Sequence, residues 1–233
     1  MYRRRLEEAL PGVLERIERA AHRVGRDSSG VTLVVVTKGH GIEAAQAAVE
    51  LGLRDLGENR VERIEALADH FAPGVVRWHM IGRLQRRKAP QVRPHVTLLH
   101  SLDSLRLAER LERDGGESGA RVLSVLLQVN TSGEGSKAGF EPDRVVDEAA
   151  RILAMPSLSV QGLMTMAPFT DEERLLRHAF SRLRQVQDEL RAQLPEYRGA
   201  QLSMGMSNDF EVAVEEGSTI VRLGTVLLGE RPE

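Results

Sequence analysis

The chain has no cysteine. That excludes disulfides, thiolate metal sites and cysteine nucleophiles, and it suits a reducing, cytoplasmic setting. Aromatic residues make up only 3% of it, too few for a base-stacking nucleic-acid surface. A formal net charge of -2 gives no global pull toward nucleic acid or anionic membranes. No window approaches the ~18 apolar residues that a membrane span needs. The opening Met1-Tyr2-Arg3-Arg4-Arg5-Leu6-Glu7-Glu8 is charged and amphipathic, which predicts no secretory leader. Lysine is also scarce: of 32 basic residues only Lys38, Lys88 and Lys137 are lysines. Arginine cannot shed its proton to act as an amine nucleophile, whereas a buried lysine can. The few lysines are therefore candidates for positions where the amine itself is needed, although a high-arginine composition would leave a few by drift.

What is present describes an ordinary globular protein. Hydrophobic residues are 41% and charged residues 28% of 233, enough for a sizeable core. No Pro/Gly/Ser-rich linker interrupts the chain, so one domain over 1–233 is expected. Strand-like segments fall at 31–37, 54–57, 76–82, 96–101, 122–130, 158–166, 200–204 and 219–228. Helical patterns lie between them at 41–51, 59–71, 85–92, 103–113, 141–154, 171–193 and 208–216. An amphipathic helix over 4–24 comes first, with Leu6, Leu10, Val13, Leu14, Ile17 and Ala21 at the helical period. Eight strands alternating with helices predict parallel strands joined by crossovers. The fold expected is α/β, a (β/α)8 TIM barrel with an extra N-terminal helix. That helix fills the place left empty after the last strand, which has no helix of its own. No Gly-x-Gly-x-x-Gly follows the first strand, which counts against an open dinucleotide-binding sheet.

In such a barrel, functional groups collect at the C-terminal ends of the strands. Lys38 leaves strand one directly after the apolar run Val31–Thr37. Strand two ends in Gly57-Glu58-Asn59, and strand three carries His79. Strand six holds Met164, Thr165 and Met166. Strand seven runs into Ser203-Met204-Gly205-Met206-Ser207, and strand eight holds Arg222 and then Gly224-Thr225. Plainer readings stand beside these. Asp103, Asn59 and Ser207 are candidate N-caps. His79 reads equally as a hydrogen-bonded core histidine, Met164 and Met166 read as barrel filling, and Arg86-Arg87-Lys88 as a solvated face. The loops after strands seven and eight are where barrels often bind phosphate, because small residues let backbone N–H groups approach an anion at a helix start. Strands one and eight pair in a closed barrel, so Lys38 and that cradle are neighbours. A phosphorylated aldehyde requires this arrangement: an amine for a Schiff base and an anchor for the phosphate.

The residues also carry a resemblance. Val36-Thr37-Lys38, Gly57-Glu58-Asn59, Trp78-His79-Met80-Ile81-Gly82-Arg83-Leu84-Gln85, Ser136-Lys137-Ala138-Gly139-Phe140, Gly162-Leu163-Met164, Leu202-Ser203-Met204-Gly205-Met206-Ser207-Asn208-Asp209, Val221-Arg222-Leu223-Gly224-Thr225 and Gly229-Glu230-Arg231 occur in that order. Together they resemble the pyridoxal phosphate homeostasis proteins, single-domain relatives of the alanine racemase barrel. The resemblance implies pyridoxal 5'-phosphate held on Lys38 as an internal aldimine. It implies phosphate contacts from Ser203, Gly205, Gly224 and Thr225, with Met204 and Ser207 in the same cradle. It places Asn59 beside the cofactor and Arg222 near the pyridine nitrogen. One departure is local: many relatives have a second lysine and a proline where this chain reads Lys38-Gly39-His40-Gly41.

A carrier is favoured over a catalyst. A positive charge at the ring nitrogen disfavours its protonation and weakens the electron sink, although the related racemases work with an arginine there. A two-base racemase needs an acid/base group on the opposite substrate face, a tyrosine in the full-length relatives. Here there are only Tyr2, ahead of the leading helix, and Tyr197, expected at the wrong end of the barrel. The expected role is intracellular vitamin B6 homeostasis by a monomer that stores, shields or delivers the cofactor, with pyridoxal-phosphate-dependent apo-enzymes as possible recipients. The alternatives are a weak amino-acid racemase and a cofactor-free Schiff-base aldolase. Lys137, after strand five, is a further amine that could meet the aldehyde during loading or release.

Overall fold

A computed structural model describes residues 1–118, 121–133 and 138–231. Ser136, Lys137 and the role suggested for that lysine lie outside the described residues.

Eight short strands form a closed barrel in sequence order: β1 Thr32–Val36, β2 Asp55–Glu58, β3 Arg77–Met80, β4 Val96–Leu102, β5 Leu123–Gln128, β6 Leu158–Met164, β7 Gln201–Ser203 and β8 Ile220–Leu223. Every pairing is parallel, and β1 closes on β8 from Thr32↔Ile220 to Val35↔Leu223. The helices α1 Tyr2–Arg23, α2 Ile42–Glu50, α3 Val61–Ala68, α4 Leu105–Ser118, α5 Val145–Leu153, α6 Glu173–Gln193, α7 Phe210–Glu215 and α8 Thr225–Leu228 surround it. The expected α/β barrel with a leading helix is the fold observed. Among the described residues, no helix is long and apolar enough to cross a membrane.

Several local expectations change. The segment read as a helix over 85–92 is a 3-10 turn, Arg86–Gln91. It has few residues to work with, and Pro90 supplies no N–H to an α-helical ladder. The last strand stops at Leu223, and its distal half folds into the single turn of α8, so a helix does follow it. Asp103 does not cap α4; its carboxylate accepts from Arg83 and Ser104. Ser207 and Asn59 likewise leave the cap positions of α7 and α3 to Asp209 and Arg60. Met166 is partly exposed rather than packed in the barrel, whereas Met164 is buried inside it. Lys88 pairs with Glu62 instead of standing in a solvated run.

The core has two parts. The larger lies between strands and helices, where Ala44, Ala45 and Ala48 of α2 let that helix approach closely and Phe180 and Leu183 of α6 are fully buried. The smaller fills the barrel interior with only Val34, Leu98, Leu126, Met164 and Ile220. Much of the remaining interior is polar. Helix α1 seats Leu6, Val13 and Ile17 against the barrel's outer core, while Leu14 faces solvent; burial of each such side chain contributes about 1.5–3 kcal/mol. Arg16 and Arg23 of α1 bind Glu211 and Glu215 of α7 at 2.7 and 2.6 Å. The leading helix thus occupies the place beside the last strands that α8 is too short to cover.

Candidate functional site

At the C-terminal mouth of the barrel a cavity of about 460 Å³ is lined by Val36, Lys38, Asn59, Ile81, Gly82, Arg83, Gln128, Met166, Phe169, Met206, Ser207, Asn208, Arg222, Gly224, Thr225 and Arg231. Among the described residues, the lining contains four cations and no carboxylate. Of the four, only Arg83 has an ion-pair partner among the described residues, Asp103 at 3.0 Å. A hollow of similar volume, about 480 Å³, lies outside the barrel between Ala68, Phe71, Trp78 and His95, and it lacks this donor set.

Lys38 enters from the loop after β1. Partial burial lowers its amine pKa, and the charges of Arg231 and Arg222 lower it further; Glu58 opposes them. The free-amine fraction is therefore larger than for an exposed lysine, which is what a nucleophilic amine requires. Gly39 turns the chain after it with φ +83°, and a Cβ there would meet the Arg231 side chain at 2.7 Å. The C-terminal arginine thus packs directly over the loop that carries the lysine. His40, also in this loop, is buried and 3.1 Å from the Tyr2 hydroxyl, and its carbonyl accepts from Arg63. Burial and then the charges of Arg231, Arg63 and Arg5 depress its pKa.

Glu58 is fully buried beside this loop. Its Oε1 accepts from Thr37 Oγ1 at 2.7 Å and from Arg63 Nε at 3.0 Å, while Oε2 has no partner. Burial raises its pKa, against the donors from Thr37 and Arg63.

In the loops after β7 and β8, the Ser207 hydroxyl accepts from the backbone N–H groups of Gly224 and Val226, each at 3.4 Å. Both donations are long, so these N–H groups are weakly committed and an anion could compete for them. A Cβ on Gly224 would approach the Val36 carbonyl at 3.3 Å, which holds this backbone close to the exit of β1. Gly205 has φ +97°, and a Cβ there would meet Ala213 at 2.7 Å. This glycine makes the reversal that carries the chain from β7 to Ser207.

Of the nine residues singled out in the sequence, Lys38, Asn59, Ser207, Arg222, Gly224 and Thr225 line one cavity, and Ser203, Met204 and Gly205 do not. Ser203 and Met204 are fully buried. The Ser203 hydroxyl faces inward, accepting from Arg222 Nη1 at 2.6 Å and lying 2.8 Å from His100 Nδ1. Arg222 also donates to the Thr165 carbonyl at 3.0 Å. Burial lowers its pKa to about 10, against the attraction of Asp209, so it stays charged near neutrality. Neither tyrosine lines the cavity. Tyr2 opens α1 and reaches the rim only through His40, and Tyr197 is buried with its hydroxyl 3.3 Å from Gln187. The sequence reading missed Gln128, Phe169, Asn208 and Arg231 at the mouth and His100 beneath it. Arg231 and Asn208 carried a signal, as members of quoted motifs, whereas Gln128, Phe169 and His100 carried none.

The alanine racemase N-terminal domain family matches residues 13–232. The pyridoxal phosphate homeostasis protein of Aquifex aeolicus is 41% identical over 230 residues, 96% of this chain and 97% of its own length. Among solved structures, an unknown protein from Bifidobacterium adolescentis superposes with a TM-score of 0.89 at 36% identity, covering 97% of this chain and 95% of that one. PipY of Synechococcus elongatus, solved with PLP bound, superposes with a TM-score of 0.81 at 36% identity, covering 93% of this chain and all (100%) of that one. Fold, length and sequence agree: the chain belongs to the pyridoxal phosphate homeostasis protein family, within the alanine racemase N-terminal domain group.

Proposed function

We propose that this chain binds pyridoxal 5'-phosphate as a Schiff base on Lys38 and serves in pyridoxal phosphate homeostasis by storing, shielding or handing on the cofactor. The observation that carries this reading is the mouth cavity itself, with an amine of depressed pKa, three arginines and, among the described residues, no acid in its walls. The donor set fits the group. Ser207, Gly224 and Thr225 offer hydroxyl and backbone donors that would hold a phosphate, and Asn59 and Arg222 line the same cavity, where they would hold the ring. In this assignment Ser203, Met204 and Gly205 shape the loop from beneath rather than touch the phosphate. Bound there, the cofactor supplies an aldehyde for the amine and an electron-withdrawing ring. Arg222, charged and held by Ser203 and Thr165, keeps protons off that nitrogen, which weakens the ring as an electron sink.

Holding rather than turnover is supported by the lining. Among the described residues no histidine, tyrosine or carboxylate lines the cavity, so none of them offers the amine a second acid/base group, and the site opens to solvent, where water competes. The open face also suits hand-over to a pyridoxal-phosphate-dependent apo-enzyme. The test is titration of the purified protein with pyridoxal phosphate, followed by its absorbance, then borohydride reduction and peptide mass analysis. A single adduct on Lys38 is expected. A protein that takes up no pyridoxal phosphate, or an adduct spread over the N-terminus and other lysines, overturns the reading. Rapid racemisation of alanine by the loaded protein overturns the holding role alone.

A further inference from the structure

The barrel interior contains a line of polar groups that the mouth chemistry does not use. Asp55 opens β2 at the floor, the end opposite the cavity. Its Oδ1 lies 3.0 Å from His79 Nε2. His79 Nδ1 lies 2.8 Å from His100 Nε2, and His100 Nδ1 lies 2.8 Å from Ser203 Oγ. Ser203 then accepts from Arg222 Nη1 at 2.6 Å, and Arg222 lines the mouth. His79, His100, Ser203 and Arg222 are all buried. Five side chains from five strands thus join floor to mouth through the middle of the barrel.

Donor and acceptor counting gives the line one direction. A guanidinium only donates, so Arg222 must donate to Ser203. An ionised carboxylate only accepts. Burial alone would raise the pKa of Asp55, but donors from His79 and Arg77 outweigh it and bring it down to about 2. Asp55 therefore accepts from His79 Nε2–H, which leaves Nδ1 of a neutral His79 as an acceptor. That acceptor takes the Nε2–H of His100, whose Nδ1 then accepts the Ser203 hydroxyl proton. Every link has one donor and one acceptor, and each imidazole carries a single proton. His100 fits this state, since burial, and after it the charge of Arg222, hold its pKa well below the ordinary histidine value. The opposite direction would point an imidazole N–H and the Arg222 N–H at the same Ser203 oxygen and leave the serine proton to find another acceptor in a buried site.

We propose that Asp55, His79, His100 and Ser203 are positioning residues: a one-way hydrogen-bond chain, its polarity set at the barrel floor, that holds the Arg222 guanidinium in place at the mouth. Its consequence for cofactor binding rests on the function proposed above; the chain itself does not, and the tests separate the two. Without cofactor, 15N–1H correlation spectra of histidine-labelled protein should show His79 and His100 both neutral with the proton on Nε2. An Nδ1 proton on either overturns the proposal. In arginine-labelled protein, the Arg222 guanidinium protons should be protected from exchange. Ser203→Ala should speed that exchange about tenfold or more, and Ser203→Thr, which keeps the hydroxyl, should restore it. Asp55→Ala should remove the Nε2 preference at both histidines. Equal exchange in wild type and Ser203→Ala, or unchanged tautomers in Asp55→Ala, shows ordinary packing and overturns the proposal. With pyridoxal phosphate added, Ser203→Ala should bind roughly five- to tenfold more weakly than both wild type and Ser203→Thr. If wild type shows the tautomers and the protection but takes up no pyridoxal phosphate, the chain stands and the cofactor assignment fails.

Discussion

The two ends of the barrel are both polar, yet they handle charge in opposite ways. At the floor, a cavity of about 260 Å³ includes Asp55, Arg77 and His79. Asp55 takes a bidentate contact from Arg77 and one from His79, so the charges there largely satisfy one another. At the mouth, Lys38, Arg222 and Arg231 share a cavity that has no carboxylate among the described residues of its walls. Both ends are built from the same kind of residue, strand termini of one parallel sheet. What differs is neutrality: the floor is complete by itself, whereas the mouth carries an excess of positive charge that an anion would relieve.

The largest effect should come from the mouth amine. Lys38→Ala is expected to abolish the borohydride-fixed adduct completely while weaker, reversible binding persists, as equilibrium dialysis would show. Loss of all binding would mean that the remaining cations and hydroxyls do not hold the anion unaided. Next in size, Ser207→Ala removes the hydroxyl between the N–H groups of Gly224 and Val226. Affinity for pyridoxal phosphate should fall roughly five- to tenfold, measured by the same titration; an unchanged affinity would place the phosphate elsewhere on the rim.

A third prediction concerns acid. His100 has a folded pKa below that of the unfolded chain, so below about pH 6.5 the unfolded state binds more protons and stability falls. Asp55, depressed to about 2, contributes stability that is full above the ordinary carboxylate pKa and is lost as pH drops toward 2. Thermal denaturation should therefore show a midpoint that declines from pH 7 to pH 5. A midpoint that rises on acidification would mean that His100 gains a proton in the folded state. The smallest effect should be at the floor surface. The Arg77 side chain is 54% exposed, so Arg77→Ala should change stability by no more than about 1 kcal/mol and leave pyridoxal phosphate affinity unchanged. A clear loss of affinity would show that Arg77, through Asp55, helps set the chain that reaches Arg222.

The barrel was legible in the sequence because the strands are short apolar runs, such as Val34-Val35-Val36, set off by amphipathic helices. Lys38 was legible for a related reason, as a lone amine at the end of such a run. The interior was not. His100 sits in Thr97-Leu98-Leu99-His100 with no neighbour in sequence to suggest that it meets His79 and Ser203, whose elements lie 21 and 103 residues away. Ser203 and Ser207 also could not be told apart. Alternation assigns faces only while the strand lasts, and β7 ends at Ser203. Beyond it the left-handed turn at Gly205 resets the direction, so one serine points down the barrel and the other into the cavity. Phe169, 94% exposed, lies in a loop whose course no periodicity describes.

Helix α1 has a consequence for how the chain is made. It precedes every strand of the barrel, yet its partners Glu211 and Glu215 lie 195 and 192 residues downstream of Arg16 and Arg23. On a ribosome these two ion pairs must wait until α7 has emerged, although α1 can already meet α2. Docking of the first helix on α7 is then a closing step of assembly, and contacts of such long sequence separation slow folding. The barrel is sealed by a latch whose two halves, α1 and α7, enclose seven of its eight strands in sequence.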